Sequence, residues 1–258
     1  MATNALKSQL ARQKVAFGGF IQIGHPAIGE IFARAGLGWS ILDCEHGVID
    51  LESGTNLMRA MSRWSCDALA RLPRNDPVWI ARFLDAGAAG IVVPMVNSAR
   101  DAEQAVAAAK YPPQGHRGFG YGRANDYGVE FDTYARCANS DTSVIVQIEH
   151  VLGVEQIDAI LSVEGIDGIF VGPYDLSGSM GIPGQLDHQK MADALSQIAA
   201  ASQAHQVPAG LHIVGPQIER VRQAIANGFR IIALGMDTTL LYHGAHELLT
   251  QATALANA

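Results

Sequence analysis

Short apolar runs alternate with longer amphipathic stretches along the whole chain. The short runs have the length of β-strands and are apolar at consecutive positions, as in Ile91-Val92-Val93. Such runs are typical of strands that are covered on both faces. They predict eight strands, at residues 17–24, 39–45, 67–72, 90–96, 143–149, 168–172, 209–214 and 230–235.

The stretches between these runs carry apolar residues at helical spacing. Proline marks expected helix starts at Pro26 and Pro77, and glycine lies just past expected helix ends at Gly36 and Gly87. The pattern predicts eight helices, at residues 27–35, 51–61, 78–85, 99–110, 154–163, 189–204, 217–226 and 240–255.

Regular alternation of strands and helices predicts a parallel sheet. Eight of each in 258 residues is the count of a (β/α)8 TIM barrel, and no linker-like stretch divides the chain, so we expect one domain over residues 1–258. An open, doubly wound sheet is the alternative. It is disfavoured because residues 20–26, after the first strand, lack the glycine-rich phosphate turn of that fold.

Composition and charge exclude several function classes. The chain is 48% hydrophobic and 17% charged, and its net charge of −7 argues against binding to nucleic acid. No apolar run approaches the roughly 18 residues of a membrane span, and the N-terminal residues lack the apolar segment of a signal peptide. Three scattered cysteines fit reduced thiols, so we expect a cytoplasmic protein without contact to a membrane.

Polar residues follow the predicted strands at their carboxyl ends, where the chemistry of a TIM barrel takes place. Six strand ends contribute, so the joint density of polar groups on one rim predicts an active site. The candidates are Asp43, Glu45 and His46 after strand two, Arg71 on strand three, Gln147, Glu149 and His150 on strand five, Tyr174 and Asp175 after strand six, His212 on strand seven and Asp237 after strand eight.

Glu149 and Asp175 end neighbouring strands, where two unpaired carboxylates would repel each other or share a proton. A hard divalent ion between them removes this repulsion, which favours Mg²⁺ or Mn²⁺ with positions left open for substrate. The alternative pairs the two carboxylates with Arg71 or uses Asp175 as a helix cap. A zinc site at Cys44 and His46 is disfavoured, since no second Cys/His pair has ligand spacing.

The chain has only four lysines, and none lies in a predicted strand. A lysine that forms a Schiff base needs a desolvated position that lowers its pKa. The sequence therefore argues that any carbonyl substrate is polarised by a metal ion and an arginine instead. The four are Lys7, Lys14, Lys110 and Lys190.

Two glycine-rich segments are predicted to be functional loops. The first, residues 111–130, contains a G-x-G-x-G pattern but does not join a strand to a helix, so the dinucleotide-binding interpretation fails. It follows a helix and should leave the lower face of the barrel, and whether it serves its own or a neighbouring site stays open. The second, residues 178–184, lies on the catalytic rim.

Several motifs in this order resemble the HpcH/HpaI family of class II, metal-dependent pyruvate aldolases, which includes 4-hydroxy-2-oxoheptanedioate and 2-dehydro-3-deoxyglucarate aldolases. The resemblance extends from about Gly18 to Gly235 and implies a barrel of the phosphoenolpyruvate/pyruvate type. The motifs are Asp43-Cys44-Glu45-His46-Gly47, Leu84-Asp85-Ala86-Gly87, Val93-Pro94-Met95-Val96, Tyr111-Pro112-Pro113 with Arg117-Gly118, Gln147-Ile148-Glu149 and Gly172-Pro173-Tyr174-Asp175-Leu176-Ser177.

The resemblance implies a divalent ion, Mg²⁺, Mn²⁺ or Co²⁺, held by Glu149 and Asp175. Pyruvate, as a 2-oxo acid, would chelate it through carboxylate and keto oxygens. The Arg71 guanidinium would donate to the keto oxygen as it becomes an enolate, and His46 would be the acid and base.

The remaining implied roles concern substrate contacts and support. Gln147 would contact the substrate, and the Tyr174 backbone N–H would meet the substrate carboxylate. Asp43 would support His46 from the same strand.

Asp85 is expected at the carboxyl end of a helix, where its charge opposes the helix dipole by roughly 0.3–1 kcal/mol. This position lies at the bottom of its own barrel, so a solvated surface residue is one interpretation. The resemblance implies the other: a homohexamer, a trimer of dimers, in which Asp85 raises the basicity of the partner subunit's His46. The C-terminal helix 240–255 would then pack across subunits.

These observations favour a lyase that reversibly splits a 4-hydroxy-2-oxo acid into pyruvate and an aldehyde whose identity the sequence leaves open. An acyl-CoA lyase of the citrate lyase β-subunit type is the nearest alternative, but the four lysines and the acidic charge argue against a groove for CoA phosphates. A barrel that binds a 2-oxo acid without turnover is the third.

Overall fold

Eight parallel strands form a closed barrel in the computed structural model, which describes residues 5–12, 14–215 and 217–257. Each strand pairs with the next along the chain, and β8 pairs with β1. The TIM-barrel prediction is therefore confirmed, and the open sheet is wrong. The strands are β1 Ala16–Ile21, β2 Trp39–Asp43, β3 Asp67–Arg71, β4 Gly90–Val93, β5 Ser143–Ile148, β6 Gly168–Val171, β7 Ala209–Ile213 and β8 Ile231–Met236.

Seven of these strands end one to three residues before their predicted ends. The backbone hydrogen bonds between strands end at the rim, although the apolar pattern in the sequence continues for a few more residues. At β4, for example, Pro94 has no N–H to donate, and Met95 has a positive φ of 54°. The overestimated residues are rim residues, and several line the candidate site.

Every predicted helix is present, but the helix count was too low. Residues 154–163 form two short helices that meet at Gln156, and further helices occur where the sequence was interpreted as loop or left unassigned. The α-helices are α1 Ala5–Ala11, α2 Pro26–Arg34, α3 Leu51–Met61, α4 Pro77–Asp85, α5 Ala99–Ala109, α6 Phe131–Asp141, α7 Val151–Glu155, α8 Ile157–Leu161, α9 Pro173–Ser179, α10 Gln189–His205, α11 Ile218–Ala226 and α12 Asp237–Ala256.

Two apolar layers hold the barrel together. One lies between the strands and the surrounding helices, and the other fills the barrel interior with large side chains such as Trp39 and Phe170. Leu6 of α1 is buried in this interior layer and closes the lower end of the barrel. A Cβ on Gly18 would clash with the Trp39 ring, so only glycine allows this packing.

The upper end of the interior is polar. Side chains alternate between inward and outward positions along each strand. Three strands have an apolar side chain packed in the interior, namely Ile41, Leu69 and Ile145. Two residues further along the same strands lie Asp43, Arg71 and Gln147. These polar groups therefore face the barrel axis at the carboxyl ends of the strands, which is the rim where the site lies. His212 of β7 joins them.

Candidate active site at the carboxyl ends of the strands

The central feature of the rim is a buried ion pair between Asp43 and Arg71. The two residues are register partners at the ends of β2 and β3. Arg71 donates from Nε to Asp43 Oδ1 over 3.0 Å, and its Nη2 lies 2.8 Å from Oδ2. Burial alone would raise the pKa of Asp43, but the Arg71 guanidinium outweighs it and the net pKa is lowered. Arg71 also lies over the Phe20 ring, 5.1 Å from its centroid. Its guanidinium is thus held by two side chains, Asp43 and Phe20.

The turn after β2 places a second carboxylate and an imidazole beside this pair. Asp43 Oδ1 accepts hydrogen bonds from the backbone N–H groups of Glu45, over 3.2 Å, and His46, over 3.1 Å. Glu45 Oε2 lies 3.4 Å from Arg71 Nη1 and 3.9 Å from His46 Nε2. Burial raises the pKa of Glu45, and the charges of Asp43 and Asp175 add to this effect. His46 itself is exposed at the rim.

Glu149 contributes a buried carboxylate on the opposite side of the rim. Its Oε1 accepts a hydrogen bond of 2.7 Å from the Met95 backbone N–H, and Gln147 donates from Nε2 to Oε2. Burial raises the pKa of Glu149, and the charges of Glu45 and Asp175 raise it further. Gln147 Oε1 is buried and has no hydrogen-bond partner among the residues that the structure describes, so it remains available to a ligand.

Tyr174 and Asp175 lie in the first turn of α9, directly after β6. Both are exposed, and Tyr174 retains 51% of its accessible surface. The alternative in which Arg71 neutralises Glu149 or Asp175 is wrong, because the ion pairs of Arg71 within the described ranges are with Asp43 and Glu45.

A divalent ion fits the side of the rim that holds Glu149 and Asp175. Their charges, with that of Glu45, raise the pKa of the buried carboxyls, and a cation relieves this repulsion. Residues 5–12, 14–215 and 217–257 contain no group of three or more His, Cys, Asp or Glu side chains arranged to hold a metal. Two carboxylates suit an ion that keeps positions for water and substrate.

The Cys44 thiol is unsuited to zinc. Cys44 packs against the hydrophobic core, and burial raises the pKa of its thiol to about 12. Zinc binds the deprotonated thiolate.

Asp85 lies at the lower end of the barrel, at the last residue of α4. Arg117 donates from Nη2 to Asp85 Oδ1 over 2.6 Å, and the Arg117 guanidinium lies 4.6 Å from the Tyr111 ring centroid. Asp85 is therefore an ion-pair partner, and its interpretation as a merely solvated surface residue is wrong. Topology separates it from His46 of its own chain, at the upper end. Its action on a partner subunit stays a prediction.

The segment 111–130 leaves α5 at the lower end of the barrel, as expected. Its residues Arg123–Gly128 include 3-10 turns, but they are also irregular, since the backbone angles of Asn125, Asp126 and Tyr127 are not helical and φ is positive at the last two. Gly122 lies against the Asp85 backbone, where a Cβ would be 2.8 Å from the carbonyl oxygen. The segment thus surrounds Asp85. The second glycine-rich segment, residues 178–184, begins inside α9 instead of forming a loop throughout.

Sequence reasoning placed Glu45 on the rim without a role, although it contacts both Arg71 and His46. It missed Gln22 as a site residue. Gln22, directly after β1, donates from Nε2 to Asp43 Oδ2 over 2.9 Å and accepts from Thr238 Oγ1 over 3.2 Å. Gln22 was identifiable by the same rule as the others, since it is a polar residue at the carboxyl end of a strand.

Asp237, which the sequence placed on the rim, joins β8 to β1. Its Oδ1 accepts from the Gln22 backbone N–H over 3.0 Å, and its Oδ2 accepts from Ile23 N–H over 2.8 Å. Both carboxylate oxygens are thus used to hold the backbone after β1. Asp237 has a structural role at the start of α12.

This barrel, with its acidic and basic groups on the upper rim, matches a family of known lyases. The family model for HpcH/HpaI aldolase/citrate lyase matches residues 16–244. The chain belongs to this family, and it is an aldolase, that is, a carbon–carbon lyase. Among curated relatives, the 5-keto-4-deoxy-D-glucarate aldolase of Shigella dysenteriae is 36% identical over 246 residues, which cover 95% of each chain.

Solved structures agree on the fold. The HpcH/HpaI aldolase from Desulfitobacterium hafniense superposes with a TM-score of 0.90 at 31% identity and covers 96% of both chains. The citrate lyase beta subunit complexed with oxaloacetate and magnesium from M. tuberculosis has a TM-score of 0.58 at 18% identity, covers 86% of this chain and 92% of its own, and shares the fold alone. Within the described ranges, no helix combines the length and hydropathy of a membrane span.

Proposed function

We propose that the chain is a metal-dependent aldolase that reversibly cleaves a 4-hydroxy-2-oxo acid into pyruvate and an aldehyde. The observation that carries this proposal is the presence of two groups on one rim, the Arg71 guanidinium held by Asp43 and the buried carboxylate of Glu149. Substrates of the type named for the relatives, 5-keto-4-deoxy-D-glucarate, carry oxygen atoms that suit both groups. The acyl-CoA lyase alternative is not favoured, since the citrate lyase beta subunit is similar in fold alone.

We infer that Glu149 and Asp175 hold a divalent ion, Mg²⁺, Mn²⁺ or Co²⁺. Such an ion, when bound, would polarise the C2 carbonyl of a 2-oxo acid and so favour cleavage of the C3–C4 bond, which lies between the carbon atoms α and β to that carbonyl. The support is the raised pKa of Glu149, which burial and two neighbouring carboxylates cause. The Gln147 amide orients Glu149 by donating to Oε2, and its Oε1, which has no partner among the described residues, is left for the substrate.

Arg71 stabilises the negative charge that develops on the keto oxygen. Asp43 occupies the Nε and Nη2 groups, so the guanidinium keeps one orientation, and Nη1, which lies 3.4 Å from Glu45 Oε2, is the group left to meet the substrate. A donor that is fixed before the reaction loses no free energy to reorganisation, and this is the basis of electrostatic catalysis. The Tyr174 backbone N–H, in the first turn of α9, is assigned to the substrate carboxylate.

His46 moves the proton of the substrate 4-hydroxyl, directly or through water. Its backbone is held by Asp43, and its Nε2 lies within ion-pair range of Glu45. An exposed imidazole at the entrance to the site exchanges protons with solvent, as an acid and base must between turnovers. Cleavage requires a base for this hydroxyl, and condensation requires the corresponding acid.

We also propose that the enzyme works as a homo-oligomer, a hexamer assembled as a trimer of dimers. Helix α12 supports this, because Asp237 is its one buried residue among those described, while Leu248 and Leu249 are 69% and 65% exposed. In the oligomer, Asp85 would reach the partner subunit's His46. Two inactive variants, His46→Ala and Asp85→Asn, should regain activity when dissociated and reassembled together; co-assembled mixtures that stay inactive would refute this role.

The proposed chemistry is tested by condensation of pyruvate with glycolaldehyde. Activity should disappear with EDTA and return with Mg²⁺ or Mn²⁺. Borohydride added with pyruvate should leave the enzyme active and its mass unchanged, because the strands carry no lysine that could form an imine. A pyruvyl adduct on any lysine would overturn the proposal.

A further inference from the structure

One polar residue of the inner rim has no part in the chemistry described above. His212 occupies an inward position of β7, two residues after Gly210, where a Cβ would meet the Phe170 ring inside the barrel. The His212 imidazole stacks on Phe20 with ring centroids 4.3 Å apart and an interplanar angle of 17°. The Arg71 guanidinium lies over the same Phe20 ring. His212 and Arg71 therefore pack against the same aromatic side chain.

The hydrogen bonds of His212 define its tautomer. Its imidazole is bonded to the backbone of Gly235 on β8, whereas its Nε2 is buried without a hydrogen-bond partner in the described part of the chain. The bond to Gly235 therefore belongs to Nδ1, which must carry the proton to donate to a carbonyl. Nε2 is left with a lone pair, and it is an acceptor.

The imidazole remains neutral over the working range of an enzyme. Burial lowers the pKa of His212 to about 4, and the positive charge of Arg71 contributes to this lowering. A buried acceptor without a partner is uncommon in folded proteins, because an unpaired polar atom costs free energy. Nε2 is thus expected to meet a donor that belongs to a ligand.

The chemistry of the substrate decides which part of it this donor belongs to. The pyruvate half of a 4-hydroxy-2-oxo acid presents carboxylate and keto oxygens, which are acceptors and cannot pair with a lone pair. Hydroxyl donors occur only on the half derived from the aldehyde. His212 and Tyr174 line the same cavity, which also reaches Leu186. This cavity offers room for the far end of the substrate.

We propose that His212 is a specificity-determining residue whose Nε2 accepts a hydrogen bond from a hydroxyl group on the aldehyde half of the substrate. The enzyme then selects hydroxylated aldehydes over alkyl aldehydes of similar size. This inference rests on the proposed aldolase function and adds the substrate class to it.

Two variants separate the acceptor from the ring. His212→Phe keeps an aromatic ring to stack on Phe20 and removes both nitrogens. His212→Gln removes the ring but places an amide oxygen near the position of Nε2. For each variant, kcat/KM is measured for pyruvate with glycolaldehyde and with acetaldehyde, which differ in one hydroxyl group. When this ratio is compared between a variant and the wild type, the intrinsic reactivities of the two aldehydes cancel. Deuterium exchange into pyruvate reports independently on enolate formation, which both reactions share.

His212→Phe should lower the glycolaldehyde/acetaldehyde ratio roughly 3- to 10-fold, the effect of one neutral hydrogen bond, while pyruvate exchange stays near the wild-type rate. His212→Gln should restore most of the ratio. A His212→Phe ratio within twofold of wild type would overturn the inference, and so would an equal loss with both aldehydes together with lost exchange. Absence of metal-dependent exchange in the wild-type enzyme would instead overturn the proposed function.

Discussion

Replacement of Arg71 by lysine tests the assignment of the enolate-stabilising group. Lysine keeps the positive charge but has a single ammonium group in place of the planar fork that binds both Asp43 oxygens. An ammonium that pairs with Asp43 has no second fixed donor for the keto oxygen. Loss of one preorganised donor typically lowers turnover on the order of 10²–10³-fold. We expect kcat of Arg71→Lys to fall by this amount.

The same substitution should affect folding far less. Asp43 would still accept hydrogen bonds from Gln22 and from the backbone N–H groups of Glu45 and His46, and a cation would remain nearby. The expected cost is that of one charge-assisted hydrogen bond, about 1.5–3 kcal/mol in the free energy of unfolding. Mn²⁺ affinity should stay within about threefold of wild type, because Arg71 contacts neither Glu149 nor Asp175 through an ion pair in the described ranges.

The assay compares kcat for condensation, Mn²⁺ affinity by calorimetry and urea unfolding in the two proteins. Arg82→Lys is the matched control, since Arg82 also lies over an aromatic ring, that of Trp79 at 5.9 Å, but on α4 outside the site. The control should keep its wild-type kcat. An Arg71→Lys variant with near-normal kcat would refute the assignment and leave Arg71 as a structural partner of Asp43.

Three further predictions address metal binding, pH dependence and assembly. Glu149→Gln should abolish Mn²⁺ binding by calorimetry while raising the melting temperature of the metal-free protein, since it removes a charge that burial disfavours; Glu164→Gln, on the surface, should do neither. Burial raises the pKa of Asp67 to about 6, so the contribution of its protonated form to stability is lost as pH rises through 6. The free energy of unfolding of Asp67→Asn in urea should therefore gain about 1 kcal/mol relative to wild type between pH 5 and pH 8. A difference between the two proteins that does not change with pH would contradict this. Leu249→Glu on α12 should reduce the mass measured by sedimentation, whereas Gln251→Glu should leave it unchanged.

Much of the rim was predictable from sequence, because a parallel barrel brings all the carboxyl ends of its strands to one face. Three polar residues interrupt otherwise apolar strands: Asp43, Arg71 and Gln147. A polar residue at such a position indicates a specific structural or functional role. Their positions on the rim follow from the fold alone. The roles assigned to them, like those of His46 and Asp175, remain predictions that await the experiments described above.

The pairing of these groups was not predictable from spacing. Arg71 had several carboxylates within reach of the same rim, and the register of β2 against β3 makes Asp43 its neighbour. Register arises from the packing of whole strands, so a list of strand ends does not contain it. Helix α9 was missed for a different reason: its glycine and serine residues have low helix propensity, and Pro173 at its first position with packing by Leu176 compensates.

Deuterium exchange into pyruvate is the most direct test of metal-dependent enolate formation, because no property of the aldehyde affects it. The enzyme is incubated with pyruvate in D₂O, and the methyl signal is followed by NMR. We expect exchange that requires Mg²⁺ or Mn²⁺, stops with EDTA and is slower by a factor on the order of 10² or more in Arg71→Lys. Exchange at the uncatalysed rate in a folded, metal-loaded enzyme would contradict it.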